Sequence, residues 1–252
     1  MTALDGSIPA GSASIRAGIN RVLEDALHAT CIVVPAYNEA AVIGDVLTEL
    51  AVLPCTVVVV DDVSSDGTHV ECVNYPVALL HHSTNLGQGA ALQTGTTYAL
   101  GLAGTRYVAT FDADGQHKPG DVVSLIGKLV DGSYDVALGS RFVRAADARS
   151  IPRGRRALLR CAVWFTRRTA GLAVSDTHNG LRAFTAEAAG CLDLQHNGMA
   201  HASEILATIR RERLRWCEVP VSITYTQYTR RKGQRGGAAL NIVWDLITGR
   251  IR

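Results

Sequence analysis

The chain has 252 residues, enough to bury a full core in a single α/β domain. It contains no apolar run of about 18 residues, the least that crosses a bilayer as a helix, so no membrane span is expected. The net charge of +2 hides a division: residues 1–140 carry 5 Lys and Arg against 15 Asp and Glu, whereas residues 141–252 carry 20 against 8. Such blocks suit either solvated faces or an acidic metal site facing a basic anion site.

The first thirty residues form an N-terminal extension without the basic start and apolar stretch of a secretory signal, which makes export unexpected. Within them an amphipathic helix is expected from about Ile19 to Leu27. The six cysteines, Cys31, Cys55, Cys72, Cys161, Cys191 and Cys217, show neither a CxxC pair nor zinc-like histidine spacing, and read as reduced core thiols of a cytoplasmic protein. Four apolar, β-branched runs follow: "CIVVP" (31–35), "TVVVVD" (56–61), "PVALLH" (76–81) and "RYVATFD" (106–112). Their continuous rather than alternating apolarity predicts strands buried on both faces. Between them "EAAVIGDVLTEL" (39–50) and "GQGAALQTGTTYALGLA" (87–103) predict helices. The βαβα order implies a mostly parallel sheet with helices on both faces. A helix starting near Pro119, a residue suited to a first turn, leads to a further strand at "YDVALGS" (134–140).

Beyond Arg141 the regularity weakens. The expected elements are an arginine-rich helix at about 152–170, a helix at "HASEILATIRRER", a strand at "LRWCEVPVSITY", a mobile loop over 225–237 and a C-terminal amphipathic helix. That last helix spaces Leu240, Val243, Trp244 and Ile247 on one face, a stripe suited to core packing or to lipid. The reading is therefore one domain over 31–252, in two parts that divide where the regularity weakens, 31–140 and 141–252.

Ligands of parallel sheets collect at the carboxyl ends of strands. Four polar clusters fall at successive strand ends: "AYNE", "DDVSSDGT", "HSTNLGQG" and "DADGQH". Asp112 and Asp114, one residue apart just past a strand, can turn toward a common point. A hard cation that prefers oxygen ligands and keeps open positions, Mg²⁺ or Mn²⁺, suits them, with Gln116 as a neutral oxygen donor. His117 is a candidate Mn²⁺ ligand or a plain loop histidine.

In this order "VVPAYNE", "VVDDVSSDGT", "NLGQGAALQTG" and "DADGQHKPGD" resemble a family two glycosyltransferase of the GT-A fold. With "GSRFV", "NGLRAF", "EVPV" and "YTRRKGQ" the likeness is to the dolichol-phosphate mannosyltransferase and polyprenyl-phosphate sugar synthase branch. It runs from about Cys31 to the C-terminus and implies a nucleotide-sugar and metal half (31–140) and an acceptor half (141–252). The resemblance implies a nucleotide-sugar site built from Pro35, Ala36, Tyr37, Glu39, Asp61 or Asp62, Asn85, Gly87, Asp112 and Ala113. It also implies a metal on the donor diphosphate held by Asp112, Asp114 and Gln116. It assigns the acceptor phosphate to Arg141, with Arg153 and Lys232 assisting. Asp176 in "SDTHNGLRAF" is the candidate base for a hydroxyl acceptor, its alternative role being to cap or brace the acceptor loop. Two departures touch the phosphate end: Gln88 stands where lysine is frequent, and "GQRGG" where serine commonly follows "GQ".

The implied activity is inverting transfer of a hexose from a GDP- or UDP-sugar to a polyprenyl phosphate at the inner membrane surface, reached through basic residues, the final helix or a small membrane-protein partner. Rivals are transfer to a saccharide hydroxyl in cell-envelope polysaccharide synthesis, a sugar nucleotidyltransferase and a non-catalytic anion-binding module. "PAYNEAAVIG" lacks the glycine-rich basic loop of the second, and the third leaves the strand-end acids unexplained. No nucleic-acid partner is expected, and the sequence leaves the oligomeric state open.

Overall fold

The apolar runs at 30–36, 56–61 and 107–110 fold as strands buried on both faces, whereas Ala78–His81 forms the edge of the sheet and is only partly buried. In the computed structural model, which describes residues 20–143, 172–177, 179–195 and 201–224, the elements follow in order. They are α1 (Arg21–His28), β1 (Thr30–Ala36), α2 (Ile43–Leu50), β2 (Thr56–Asp61), α3 (Thr68–Cys72), β3 (Ala78–His81) and α4 (Gln88–Gly101). Then come β4 (Tyr107–Thr110), α5 (Pro119–Val130), β5 (Val136–Ser140), β6 (Arg182–Thr185), α6 (Ala186–Gly190), α7 (His201–Arg211) and β7 (Trp216–Pro220). The expected arginine-rich helix, the 225–237 loop, the C-terminal helix, and the side chains of Arg153 and Lys232 lie outside the described residues.

The seven strands form one sheet in the order β3-β2-β1-β4-β6-β5-β7. β1 pairs in parallel with β2 and β4, β2 with β3, and β5 with β7. The sheet is thus mostly parallel, as expected. Its exception is β6, which runs antiparallel between β4 and β5 and pairs Thr110 with Arg182 and Leu138 with Arg182. Sequence reading treated "NGLRAF" as a motif and not as a strand: four residues, one of them arginine, carry no period, and the pairing partners lie far away in the chain.

Period two divides β1 between two cores. Ile32 and Val34 face α1, α2 and α5, while Cys31 and Val33 face α4, α6 and α7. The predicted helix near Ile19 is observed as α1, capped by the Asn20 side chain, which accepts from Leu23 N at 2.9 Å. Its Ala26 and Leu27 are buried in the sheet core. Cys31 and Cys72 are core thiols, whereas Cys55, Cys191 and Cys217 are half-buried, and all five are free.

Helix α4 is built from alanine, glycine and threonine rather than large apolar residues, and this composition lets its axis lie close to the sheet. A Cβ at Gly95 would overlap Val33 Cγ1 and sit 3.1 Å from Val60 Cγ2. Both neighbours are fully buried β-branched side chains with stiff χ1, so neither gives way easily. Gly95→Ala is therefore expected to destabilise the protein by about 1–3 kcal/mol through overpacking, despite alanine's better helix propensity. Thermal unfolding checks this: a melting temperature equal to or above wild type would show that the α4 interface has slack.

Candidate active site

The carboxyl ends of β1, β2 and β4 open onto a cleft of about 420 Å³, in the range of small-molecule sites. Its lining includes Pro35, Ala36, Tyr37, Glu39, Asp62, Asn85, Gly87, Asp112, Ala113 and Asp114, every nucleotide-side residue named from sequence except Asp61. Gln88, Gly180, Arg182, His201 and Ala202 complete the wall. Thus residues from both halves of the chain meet in one cavity.

The twin aspartates after β2 divide their work. Asp61 is fully buried and outside the lining; its Oδ1 accepts from the Ser64 amide at 3.2 Å and from the Ser64 hydroxyl, and its Oδ2 faces His81 Nδ1 at 2.8 Å. Ser64 Oγ in turn accepts from Asn38 N at 2.9 Å, and Asn38 Oδ1 accepts from Ser65 N at 2.8 Å. Asp61 therefore ties the second loop to the first. Asp62 accepts from Leu86 N at 2.9 Å and Gly87 N at 2.7 Å and faces His82 Nδ1 at 2.7 Å. Burial would raise the Asp62 pKa, but the Leu86 amide, His82 and the Gly87 amide outweigh it and hold the carboxyl below its ordinary value. It fixes the third loop, where Gly87 has φ of +89°, a conformation open to glycine.

The loop after β4 places the paired acids. Burial opposes ionisation of Asp112, yet the hydrogen bond from His117 and the charges of His117, Arg182 and His201 prevail and lower its pKa. Asp114 goes the other way: burial, then the nearby Asp112 charge, push it up to about 6. Gln116 holds Asp114 through its backbone N at 3.1 Å and Nε2 at 2.5 Å. His117, almost fully buried and edge-on to Phe111, meets Asp112 Oδ2 through Nε2 at 3.2 Å, while its Nδ1 has no partner. Gln88, at the position where lysine was the expectation, donates to Asp112 Oδ1 at 3.2 Å. A Cβ at Gly180 would fall on the Asp112 carboxylate, so only glycine allows the segment before β6 to approach.

Away from the cleft lining Arg141 and Asp176 are buried together. Nε reaches Oδ2 at 2.6 Å and Nη2 reaches Oδ1 at 2.7 Å, a two-pronged pair that the Arg141 amide extends at 3.1 Å. Glu218 on β7 holds the Asp176 loop: its Oε1 accepts from Ser175 N at 2.7 Å, Ser175 Oγ at 2.8 Å and Asp176 N at 3.3 Å. Neither Arg141 nor Asp176 belongs to the cleft lining. Sequence reasoning missed Arg182, His201 and Glu218 as parts of this region. The signal was present for two of them, since "NGLRAF" and "EVPV" were singled out without a task for their charged residues.

The chemistry of the paired acids fits a hard divalent cation: two carboxylates act on each other at the end of one strand, and burial, then the charge of Asp112, drives Asp114 toward its neutral form. Among the described residues no third His, Cys, Asp or Glu joins them as a metal cluster, so remaining ligands would come from Gln116 oxygen, substrate or water.

Comparison with known proteins agrees with this arrangement. The model of the family described as "Glycosyl transferase family 2" matches residues 31–192. The UDP-N-acetylglucosamine–dolichyl-phosphate N-acetylglucosaminyltransferase of Methanococcus voltae is 28% identical over 86% of this chain and 94% of its own. The polyprenol monophosphomannose synthase of Mycolicibacterium smegmatis is 29% identical over 79% of this chain and 77% of its own. Among solved structures, glucosyl-3-phosphoglycerate synthase of Mycobacterium tuberculosis, crystallised with Mn²⁺, UDP and glucosyl-3-phosphoglycerate, superposes with a TM-score of 0.61. It is 18% identical and covers 98% of this chain and 86% of its own, a likeness of fold.

A raised carboxyl pKa stabilises the fold below its unfolded value near 4 and loses that contribution as pH rises through about 6. In chelator, wild type should therefore lose stability across this window, and Asp114→Asn should not. The variant is expected to be more stable than wild type by about 1–2 kcal/mol at pH 7.5, after discounting for partial exposure, and equal to it near pH 4. Parallel melting curves against pH would contradict the crowding of the two acids.

Proposed function

The chain belongs to glycosyl transferase family 2 and is a glycosyltransferase, and on that premise we propose that it moves a hexose from a GDP- or UDP-sugar to a polyprenyl phosphate with inversion. The observation that carries this reading is the under-compensated Asp112–Asp114 pair inside a cleft bordered on one side by the loops of β1 to β3. The two relatives, whose names specify dolichyl phosphate and a polyprenol monophosphate sugar, support the acceptor class.

In this reading Pro35, Ala36 and Tyr37 border the nucleotide, with Tyr37, half exposed at the rim, free to cover the base. Glu39 and Asn85 offer polar groups to base and ribose from the same side. Asp62 acts mainly by holding the Asn85–Gly87 segment in place, and Asp61 acts one step further back through Ser64. Asp112 and Asp114, with Gln116, would hold Mg²⁺ or Mn²⁺, which neutralises charge on the departing nucleoside diphosphate. Gln116 keeps Asp114 oriented whether or not its own oxygen coordinates.

The acceptor's phosphate oxygen attacks the anomeric carbon as the bond from that carbon to the donor diphosphate breaks, and the nucleoside diphosphate carries away the electron pair. A phosphate monoester is already anionic near neutral pH and needs positioning rather than deprotonation. The Arg141–Asp176 pair supports this choice of acceptor. Both oxygens of Asp176 accept from Arg141, so service as a base toward a hydroxyl would require breaking a buried, two-pronged ion pair. Arg141 and Asp176 together brace the loops behind the proposed acceptor side, while Arg153 and Lys232 remain candidates for phosphate contacts.

Among the described residues no helix is long and apolar enough to cross a membrane, and a polyprenyl acceptor places the reaction at a bilayer surface. The proposed location is peripheral, on the cytoplasmic face, drawn there by the arginine-rich C-terminal part. A small membrane-protein partner is compatible with this arrangement.

Nucleoside diphosphate release from a panel of GDP- and UDP-sugars, with and without farnesyl phosphate, tests the reading. Turnover should require the lipid phosphate and Mn²⁺ or Mg²⁺ and should fall at least about 100-fold in Asp114→Asn. Turnover onto a saccharide alone would replace the lipid acceptor, and full activity in chelator would remove the cation from the reaction.

A further inference from the structure

Arg182 is unlike the other cations near the site. It lies on β6 with 4% of its surface exposed, yet it lines the cleft. It is the one lysine or arginine among the described lining residues. A guanidinium has five N–H donors. Among the described residues its side chain makes a single hydrogen bond, from Nη2 to Thr177 O at 3.3 Å. Asp112 and Asp176 act on it through space, and burial outweighs them, pushing its pKa down to about 10. A buried guanidinium with most of its donors unused, beside a cavity, is short of an anion.

Resting on the proposed transfer to a lipid phosphate, we propose that Arg182 is the residue that receives the acceptor's phosphate monoester inside the cleft. Arg141, the sequence-level choice, has its Nε and Nη2 committed to Asp176 and stands outside the lining. Arg182 enters from the wall made by Gly180, His201 and Ala202, which comes entirely from the C-terminal part of the chain. The loops of β1 to β3 form the other side. In-line displacement requires the incoming oxygen to approach the anomeric carbon opposite the departing diphosphate. A cation on the wall away from the nucleotide loops serves that approach. A planar fork can grip two phosphate oxygens at once, a geometry that lysine lacks. Within the fields of both Asp112 and Asp176, the same side chain offsets two acids that would otherwise repel the acceptor.

The test measures kcat and KM for farnesyl phosphate, together with the Kd of UDP and GDP by calorimetry, in wild type, Arg182→Lys and Arg182→Met. The expected result is a KM for farnesyl phosphate raised about 10-fold or more in Arg182→Met and less in Arg182→Lys, with nucleotide Kd within about 2-fold of wild type. Weakened nucleotide binding at an unchanged farnesyl phosphate KM would assign Arg182 to the donor and overturn the proposal, as would variants with wild-type constants throughout. Because removing a buried arginine can prevent folding, a crystal structure of wild type with farnesyl phosphate decides without a variant. A phosphate oxygen within hydrogen-bond distance of the Arg182 guanidinium supports the proposal, and phosphate seated elsewhere overturns it. If wild type uses only a saccharide acceptor, the proposed function fails together with this inference; if wild type uses farnesyl phosphate and Arg182 is indifferent, this inference fails alone.

Discussion

Four carboxylates, those of Glu39, Asp62, Asp112 and Asp114, line one cleft at the edge of a buried sheet, where water can do little to screen them from one another. How each is compensated organises the site. Asp62 is satisfied by two backbone amides and His82. Asp112 collects His117, Gln88 and the fields of Arg182 and His201. Among the described residues Asp114 has Gln116 alone for a direct partner, and burial, then the Asp112 charge, raise its pKa to about 6. The proposed divalent cation would supply the compensation that this carboxylate lacks.

Rigidity of the cleft comes from side chains behind it. Asp61 never reaches the cavity, but through Ser64 and Asn38 it locks the loops of β1 and β2 against each other, and Asn38 holds its positive φ of 55° within that lock. His82 extends the Asp62 network to Thr94 on α4, with Nε2 at 3.0 Å from the hydroxyl. Helix α4 can hold that position because Gly95 lets it settle onto Val33 and Val60. Small residues in the helix, buried acids at the strand ends and ordered loops are thus one chain of cause.

The antiparallel strand β6 joins the two halves. By inserting between β4 and β5 it brings Arg182 level with Thr110, just before the Asp112 loop, and Thr110 Oγ1 donates to Gly180 O at 2.6 Å to secure the approach. β7 then delivers Glu218 to the Asp176 loop, so the Arg141–Asp176 pair hangs on the far edge of the same sheet. The nucleotide-side loops and the proposed acceptor side are consequently held by one sheet.

Local sequence determined what depends on neighbours along the chain. Continuous β-branched runs specified β1 to β5, Pro119 specified the start of α5, and the polar clusters at successive strand ends located the cleft and most of the lining that the first half of the chain supplies. Tertiary structure alone decided what depends on distant partners. The place of β6 rests on pairing across about seventy residues, which a four-residue strand cannot announce. The split between Asp61 and Asp62 turns on which of two adjacent carboxylates faces inward, a choice made by Ser64 and His81 on one side and by Leu86, Gly87 and His82 on the other. The pairing of Arg141 with Asp176, and the open donors of Arg182, follow from three-dimensional neighbours of residues whose charge, but not whose partner, was written in the sequence. Charge and periodicity are local properties, whereas compensation is a property of the folded sheet.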